Sequence, residues 1–310
     1  MRVPESISKS IDATTLYCAV YGHPIKHSAS PAMQNAGVDA LELNWRYLAF
    51  EVHPNDLAAA INGAKAMKFI GLNLTVPHKL LALPMVDLLD ASAKRWGAVN
   101  TIRFEAKDRK GEWVPLSQIP ADETSEIRSH GFNTDADAIT RSLREDLSIE
   151  LKGASVLLLG AGGAGRVAAL KLTTEGVENL FLVNRTMEKA QQVADEIQRE
   201  YPLVNVTLGY PKNSVDLLLN ATSLGLKSTD ASPLDENEFP ISNARAVYDM
   251  IYRPAETPLL AAAKKAGCRT ANGIGMLLYQ GAKALEIWSG KAAPIEIMRR
   301  ALEENVYGKR

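Results

Sequence analysis

The fold is decided by the segment ASVLLLGAGGAG, residues 154–165. Its first six residues are mostly apolar and predict a buried strand, and a helical pattern follows the glycines as far as about residue 175. Gly160, Gly162 and Gly165 have the spacing G-x-G-x-x-G. Such glycines let the backbone turn tightly and approach a pyrophosphate at the helix N-terminus. We therefore predict a dinucleotide-binding loop; the alternative is a tight turn that holds no ligand.

The pattern on the C-terminal side of this loop alternates between strands and helices. We predict strands at 180–183, 204–208, 215–219 and 246–250, and a helix at 187–201. Such alternation is typical of a doubly wound parallel sheet. At roughly 150 residues per domain, a chain of 310 residues holds about two domains. The fold class is therefore α/β with a Rossmann-like domain and a second domain.

The N-terminal half also mixes strands and helices. Strands are predicted at 16–21, 45–52, 69–76 and 98–104, with helices at about 31–41, 55–67 and 79–95. The polar stretch 105–129 contains Gly111, Pro115 and Pro120 and predicts a long surface hairpin or loop. Helices are expected at 139–147, 276–288 and 294–306.

Composition excludes several classes of protein. The 35 Lys and Arg balance the 36 Asp and Glu, so the net charge gives no general attraction to nucleic acid. The two cysteines, Cys18 and Cys268, imply neither a disulfide framework nor a zinc site. No apolar run reaches the length of about 18 residues that a membrane span needs, and no signal peptide is evident. We expect a cytoplasmic protein without metal.

The strand after the glycine loop indicates which dinucleotide is bound. An NAD site usually ends this strand with Asp or Glu, whereas here Asn184, Arg185 and Thr186 follow the strand. Arg185 offers a planar fork for a 2′-phosphate, and Lys189 lies one helical turn further on. The prediction is NADP rather than NAD. The alternative for Arg185 is a solvated surface charge.

Two polar clusters precede the nucleotide domain. Asn73 and Thr75 share one face of a predicted strand, as a hydroxyl-rich ligand would require, although a half-exposed strand explains them more simply. Ser30 is a good N-cap and Pro31 a good first helical residue. Capping explains the presence of Ser30 but not that of Ser28. The two serines therefore also predict an anion site at the helix N-terminus.

Lys79 and Asp135 are the candidate acid–base pair. Reduction of a carbonyl by hydride needs a proton donor for the developing alkoxide, and an ammonium group oriented by a carboxylate meets that need. Most single Lys and Asp residues are surface charges, and the separation in sequence does not reveal whether these two meet.

Taken together, these motifs closely resemble those of the shikimate dehydrogenase family. The similarity extends from Tyr21 to about Trp288 and joins the glycine loop and residues 184–186 to further segments in family order. These are GHPIKHSASP at 22–31, NLTVPHK at 73–79, GAVNT at 97–101, NTD at 133–135, NATS at 220–223, YDMIY at 248–252 and NGIGM at 272–276 with Gln280.

The resemblance implies reversible NADP-dependent reduction of 3-dehydroshikimate to shikimate, in aromatic amino-acid biosynthesis. It implies that Lys79 and Asp135 are catalytic. The substrate would be bound by Ser28, Ser30, Asn73, Thr75, Asn100, Asp135, Tyr252 and Gln280. NADP would be bound by Gly160, Ala161, Gly162, Gly163, Ala164, Asn184, Arg185, Thr186, Lys189, Thr222, Ile251, Gly273 and Met276. Residues 1–134 plus 272–310 would form the substrate domain and residues 135–271 the NADP domain.

The chain departs from the family pattern in three respects. Lys189 stands where Arg is frequent, which weakens bidentate contact with phosphate. Ala138 stands where Gly often follows the NTD segment, and residues 105–129 form a longer segment than is usual.

Other functions are compatible with much of this pattern. They are a quinate/shikimate dehydrogenase that uses NAD, a methylenetetrahydrofolate dehydrogenase with a similar nucleotide half, and a non-catalytic regulator that binds the dinucleotide or shikimate. Asn184 and Arg185 argue against the NAD-dependent enzyme. The segments that contain Ser28, Ser30 and Asn73–Lys79 argue against the folate enzyme. The presence of both Lys79 and Asp135 argues against a non-catalytic regulator. The protein is expected to act as a monomer or homodimer.

Overall fold

The computed structural model describes residues 11–120, 126–227 and 229–308. They form two compact units. The first ends at Asp135 and resumes at Leu278, and the second is Ala136–Leu277. Both are mixed α/β, as predicted. Among the helices of these residues, none is long and apolar enough to cross a membrane.

The first unit is built on a seven-stranded sheet. Its strands are β1 (Leu16–Gly22), β2 (Trp45–Glu51), β3 (Gly71–Leu74), β4 (Leu88–Leu89), β5 (Thr101–Lys107), β6 (Trp113–Pro115) and β7 (Ile127–Phe132). The order is β2-β1-β3-β5-β7-β4, with β6 paired to β5. Strand β1 is parallel to β2 and β3, whereas β5 is antiparallel to β3 and β7.

Six helices belong wholly or mainly to this unit. They are α1 (Ser30–Ala40), α2 (Leu57–Ala66), α3 (His78–Leu81), α4 (Ala91–Trp96) and, after the second unit, α9 (Ile274–Ser289) and α10 (Ile295–Tyr307). The buried faces of α2 and the sheet form one core, in which Leu57, Leu72, Ile102 and Phe104 are fully buried. Burying such side chains stabilises the unit by about 1.5–3 kcal/mol each.

The second unit contains a six-stranded, all-parallel sheet. Its strands are β8 (Ser155–Leu159), β9 (Asn179–Val183), β10 (Asn205–Leu208), β11 (Leu217–Asn220), β12 (Ala246–Asp249) and β13 (Arg269–Asn272). The order is β10-β9-β8-β11-β12-β13. The helices are α5 (Asp135–Leu147), which starts at the unit boundary, α6 (Gly163–Thr174), α7 (Met187–Glu200) and α8 (Pro258–Lys265). This is the predicted doubly wound arrangement.

The predicted helix at 79–95 is wrong. The chain there forms α3, a single 3₁₀ turn at Leu83–Met85, the short strand β4 and then α4. Pro84 interrupts the helix because proline has no N–H and clashes with the preceding turn. Asp90 starts a new helix, since its side chain accepts a hydrogen bond of 2.8 Å from the N–H of Ser92.

Two other predictions also need correction. The strand predicted at 69–76 is only Gly71–Leu74, and Val76 lies beyond its end with 70% of its surface exposed. The polar stretch 105–129 is not all surface: β5 continues through Lys107, and Glu105 is 2% exposed. Helix α8 and strand β13 were not predicted from the sequence.

Candidate active site

Lys79 and Asp135 meet in the first unit. Lys79 lies in α3, directly after β3, and Asp135 begins α5, directly after β7. Because β3 and β7 both pair with β5, the two side chains emerge close together. The Lys79 Nζ lies 2.8 Å from the Asp135 Oδ2, with the side chains 32% and 12% exposed. The pair is thus formed and still accessible to a ligand.

Asn100 anchors the segment that carries Asp135. Its Oδ1 accepts a hydrogen bond of 2.8 Å from the N–H of Thr134, and its Nδ2 donates to the Thr134 Oγ1 at 2.9 Å. The Thr134 Oγ1 donates in turn to the backbone carbonyl of Gln280 at 3.1 Å. Asn100 is buried, so its position is set by these partners. One Nδ2 hydrogen of Asn100 is not used by this set of bonds.

Asn73 belongs to the same polar network. Its Nδ2 donates to the Thr101 Oγ1 at 3.0 Å and to the backbone carbonyl of Asn100 at 3.3 Å. Asn73 and Thr101 are directly opposite in the β3–β5 register. The Oδ1 accepts a bond of 2.8 Å from the hydroxyl of Tyr47. Sequence reasoning missed Tyr47, because a tyrosine in a strand normally indicates packing alone.

The two serines lie at the start of α1, but Ser30 is not its N-cap. Ala29 occupies that position without a side-chain bond, and Ser30 is the first helical residue. The Ser28 Oγ instead accepts a bond of 3.4 Å from the N–H of Ser30. Ser30 does not cap the helix, because it already lies inside it.

Thr75 and Gln280 also lie in the first unit. Thr75 follows β3, and its N–H donates to the carbonyl of Tyr21 at 3.0 Å. A Cβ added at Gly22 would lie 2.4 Å from the Thr75 methyl group, so glycine is required for this close approach. Gln280 lies in α9 and is half-buried.

Tyr252 lies in the second unit, just after β12. The preceding residues are held by the buried carboxylate of Asp249, which accepts bonds from the Thr257 Oγ1 at 2.7 Å and from the N–H of Ile251 at 3.1 Å. Burial raises the pKa of Asp249 and outweighs the lowering effect of these bonds and of Asn220.

The glycine loop has the shape that a dinucleotide requires. Gly160 has φ +102°, in the region that favours glycine. A Cβ at Gly165 would lie 2.0 Å from the carbonyl oxygen of Gly160, so helix α6 can pack here only without one. A Cβ at Gly162 or Gly163 would meet nothing within 4 Å. The loop therefore leaves open space at the N-terminus of α6, which fits a pyrophosphate.

The residues after β9 differ in their exposure. The Asn184 Oδ1 accepts a bond of 3.0 Å from the N–H of Ala161, and its Nδ2 donates to the carbonyl of Thr186 at 2.7 Å. Asn184 thus braces the glycine loop. Arg185, Thr186 and Lys189 are exposed, so their polar groups are accessible to a phosphate.

The remaining predicted nucleotide residues lie in the same unit as the loop. The Thr222 Oγ1 donates to Asn220 Oδ1 at 2.7 Å, and a Cβ at Gly160 would lie 3.0 Å from the Thr222 methyl. Gly273 donates its N–H to the carbonyl of Ile251 at 3.2 Å. Met276 is half-buried in α9. No group of His, Cys, Asp and Glu side chains able to hold a metal is found within the described ranges.

Three family models match the chain. Residues 20–102 match the shikimate dehydrogenase substrate binding domain, 142–227 match shikimate/quinate 5-dehydrogenase, and 273–303 match the shikimate 5′-dehydrogenase C-terminal domain. The shikimate dehydrogenase (NADP(+)) of Methanopyrus kandleri is 37% identical over 97% of this chain and 99% of its own length. The chain belongs to the shikimate dehydrogenase family.

Further members of this family are similar over nearly the whole chain. The shikimate dehydrogenase (NADP(+)) of Moorella thermoacetica is 40% identical over 95% of both chains. The crystal structure of shikimate 5-dehydrogenase from Thermus thermophilus in complex with NADP(H) and shikimate has a TM-score of 0.77. It is 34% identical and covers 94% of this chain and 99% of that one. The resemblance predicted from the sequence motifs is thus confirmed.

Proposed function

We propose that this chain catalyses the reversible reduction of 3-dehydroshikimate to shikimate with NADPH, within aromatic amino-acid biosynthesis. The observation that carries this proposal is the contact of 2.8 Å between Lys79 and Asp135, at the edge of a buried network of amides and hydroxyls. A charged proton donor beside neutral polar groups suits a small anionic substrate with several hydroxyls. Family membership supports the same reaction and the same cofactor, NADP.

Lys79 and Asp135 would act as the acid–base pair. NADPH, when bound, supplies the hydride for the carbonyl carbon. The Lys79 ammonium donates a proton to the carbonyl oxygen, so that the developing alkoxide becomes a hydroxyl. Asp135 orients the ammonium group through the contact of 2.8 Å. In the oxidative direction, the neutral amine of Lys79 takes the hydroxyl proton.

The other polar residues would position the substrate. Ser28 and Ser30 lie at the N-terminus of α1, where the helix dipole and free N–H groups favour an anion, and we assign them the carboxylate with Tyr252. The ring hydroxyls are assigned to Asn73, Thr75, Asn100, Asp135 and Gln280. Neutral amides and hydroxyls discriminate hydroxyl positions well, because a mismatched substrate leaves buried polar groups unpaired.

The open glycine loop would hold the pyrophosphate, through Gly160, Ala161, Gly162, Gly163 and Ala164. Arg185, Thr186 and Lys189 would bind the 2′-phosphate, with Asn184 as the brace between them and the loop. Thr222, Ile251, Gly273 and Met276 would line the remainder of the site. Since no carboxylate follows β9 directly, nothing there repels a phosphate.

We further assign substrate binding to residues 1–134 with 272–310 and NADP binding to residues 135–271. A cytoplasmic location is supported by Cys18 and Cys268, which are both free thiols. The proposed chemistry needs only one copy of the chain and is compatible with a monomer or a homodimer.

The experiment is reduction of 3-dehydroshikimate by the purified protein with NADPH. We expect loss of the reduced-nicotinamide absorbance and a product that mass spectrometry finds two hydrogens heavier than the substrate. Binding of both compounds without turnover would contradict catalysis and favour a regulator. Turnover only with dehydroquinate and NADH would favour the quinate enzyme.

A further inference from the structure

Tyr47 contacts a residue of the proposed substrate site. It lies in β2, and its side chain is 1% exposed. Its hydroxyl lies 2.8 Å from the Asn73 Oδ1. Burial raises the pKa of Tyr47 far above its usual range, so the phenol keeps its proton at neutral pH. No step of the proposed reaction uses this group.

The direction of the Tyr47–Asn73 bond is fixed by groups on the far side of the amide. The backbone carbonyl of Asn100 can only accept, so the atom of Asn73 that faces it at 3.3 Å is the nitrogen. The second Nδ2 hydrogen points to the Thr101 Oγ1 at 3.0 Å. Both hydrogens of Asn73 are therefore used, and its Oδ1 faces Tyr47. Tyr47 must donate this bond, since a carbonyl oxygen has no hydrogen to give.

A directed chain of hydrogen bonds follows from this. The Tyr47 hydrogen is committed to the Asn73 Oδ1. Asn73 has one lone pair left and can offer a substrate only an acceptor. Asn100 is the reverse case, since its Oδ1 accepts the Thr134 N–H at 2.8 Å and one Nδ2 hydrogen stays available. A ring hydroxyl that lies between them can donate to Asn73 and accept from Asn100.

We propose that Tyr47 is a positioning residue for shikimate, which fixes the hydrogen-bonding direction of Asn73. This inference rests on the proposed function, because it takes Asn73 as a substrate contact. Tyr47 itself touches neither substrate nor cofactor. Its hydroxyl makes the site present an acceptor in a fixed place before the substrate arrives, which reduces the ordering that binding requires.

The test is Tyr47→Phe, which removes one oxygen and keeps the ring. We expect KM and Kd for shikimate to rise about five- to tenfold, the change that loss of one net hydrogen bond produces. We expect kcat and the KM for NADP to change less than about twofold, because neither Lys79 nor the nucleotide residues are touched. Isothermal titration with shikimate gives Kd independently of turnover.

A double-mutant cycle separates this role from a structural one. In an Asn73→Ala background, Tyr47→Phe should leave the shikimate Kd unchanged within about twofold, since its partner is gone. The matched control is Tyr210→Phe, which removes a hydroxyl that accepts from the N–H of Asp235 at 3.1 Å and lies outside both predicted sites. It should leave the shikimate Kd unchanged.

Two outcomes would overturn the inference. One is an unaltered shikimate Kd in folded Tyr47→Phe protein, and the other is full additivity with Asn73→Ala. Thr101→Val removes the acceptor on the other side of the Asn73 amide and must also raise Kd, so the chain of bonds is tested without altering Tyr47. Binding and oxidation of shikimate by the wild-type protein are measured before any variant is compared. If the wild-type protein does neither, it is the proposed function that fails.

Discussion

The ammonium nitrogen of Lys79 lies 2.8 Å from a carboxylate oxygen of Asp135, although 56 positions separate the two residues in the chain. The contact arises because the strands that precede them, β3 and β7, are both neighbours of β5. Asp135 is further fixed by its N–H, which donates to the Asn133 Oδ1 at 3.1 Å. The sheet topology therefore brings the proposed acid–base pair together from two distant segments.

Replacing Lys79 by alanine is expected to lower kcat about 10²–10⁴-fold, the usual contribution of a positioned proton donor. The Kd for shikimate should change only a few-fold, because other residues bind the carboxylate and hydroxyls. Steady-state kinetics and isothermal titration measure the two effects. The exposed Lys94 of α4 provides the control, since Lys94→Ala should alter neither value. Equal losses of rate and affinity would contradict a catalytic role.

Replacing Arg185 by aspartate is expected to move cofactor preference toward NAD. Arg185 is exposed after β9, where a carboxylate would repel a 2′-phosphate and accept bonds from ribose hydroxyls. The ratio of kcat/KM for NADP to that for NAD should fall about tenfold or more, the size of one lost charge-assisted bond. Arg199→Asp makes the same charge reversal near the C-terminal end of α7 and should leave this ratio unchanged. An unaltered ratio in Arg185→Asp protein would refute the assignment.

The glycine loop allows a paired test of stability. A Cβ at Gly165 would lie 2.0 Å from the Gly160 carbonyl oxygen, whereas one at Gly163 would meet nothing within 4 Å. Gly165→Ala should lower the free energy of unfolding by about 2 kcal/mol or more through strain, as overpacking does. Gly163→Ala should be neutral or slightly stabilising. Urea unfolding of both variants checks this, and equal stability of the two would contradict the described packing.

The buried carboxylate of Glu105 is expected to stabilise the protein in a way that depends on pH. Burial would raise the pKa of this carboxyl, but hydrogen bonds from His130, Arg103 and Arg128 outweigh it and lower the pKa to about 2. The folded pKa thus lies below the unfolded value near 4.5, so the stabilisation is present above pH 4.5 and is lost as pH falls toward 2.

Glu105→Gln should accordingly lower the free energy of unfolding at pH 7 by about 3 kcal/mol at most. The difference from wild type should shrink as pH falls below 4.5, as urea unfolding at a series of pH values will show. Glu112→Gln, at an exposed position of the same hairpin, is the control. A difference that stays constant between pH 7 and pH 3 would contradict the linkage.

His78 is a buried titratable side chain in the same unit, and it also makes stability depend on pH. Its side chain is fully buried, and neither ring nitrogen has a hydrogen-bond partner of good geometry. Burial lowers its pKa from 6.5, with a further contribution from the charge of His23, while the backbone of Val52 partly opposes this. Above pH 6.5 the folded protein therefore holds a neutral imidazole.

Stability from this group is present above pH 6.5 and is lost as pH falls below it, because the unfolded chain takes up the proton first. His78→Phe should flatten the decline in the free energy of unfolding between pH 6.5 and pH 5. Exposed His27→Gln should retain the decline of the wild type. Parallel curves for wild type and His78→Phe would contradict a buried neutral His78.

The nucleotide half was the easier part to predict from the sequence. Its strands and glycine loop carry local signals, namely apolar runs, glycines at fixed spacing and amphipathic helices. The first unit depends more on tertiary contacts. Pro84 broke a helix that periodicity alone favoured. Glu105 lies in a buried strand despite its charge because Arg103, Arg128 and His130 contact its carboxylate.

The proposed site was predictable only in part. Family motifs named Asn73 and Ser30, but they contain no signal for Tyr47, which comes from another strand and acts through a side-chain contact. The motifs also named Asn184 as a nucleotide residue, whereas both ends of its amide bind the protein backbone. Such roles depend on which strands become neighbours, and they emerge only with the fold.

The most direct test follows the reduced-nicotinamide absorbance of wild-type protein with shikimate or quinate, each paired with NADP and with NAD. We predict that kcat/KM is highest for shikimate with NADP, by at least about tenfold over each other pairing, the effect of a single lost charge-assisted hydrogen bond. A higher kcat/KM for quinate with NAD, or no turnover in any of the four pairings while both ligands bind, would contradict the account.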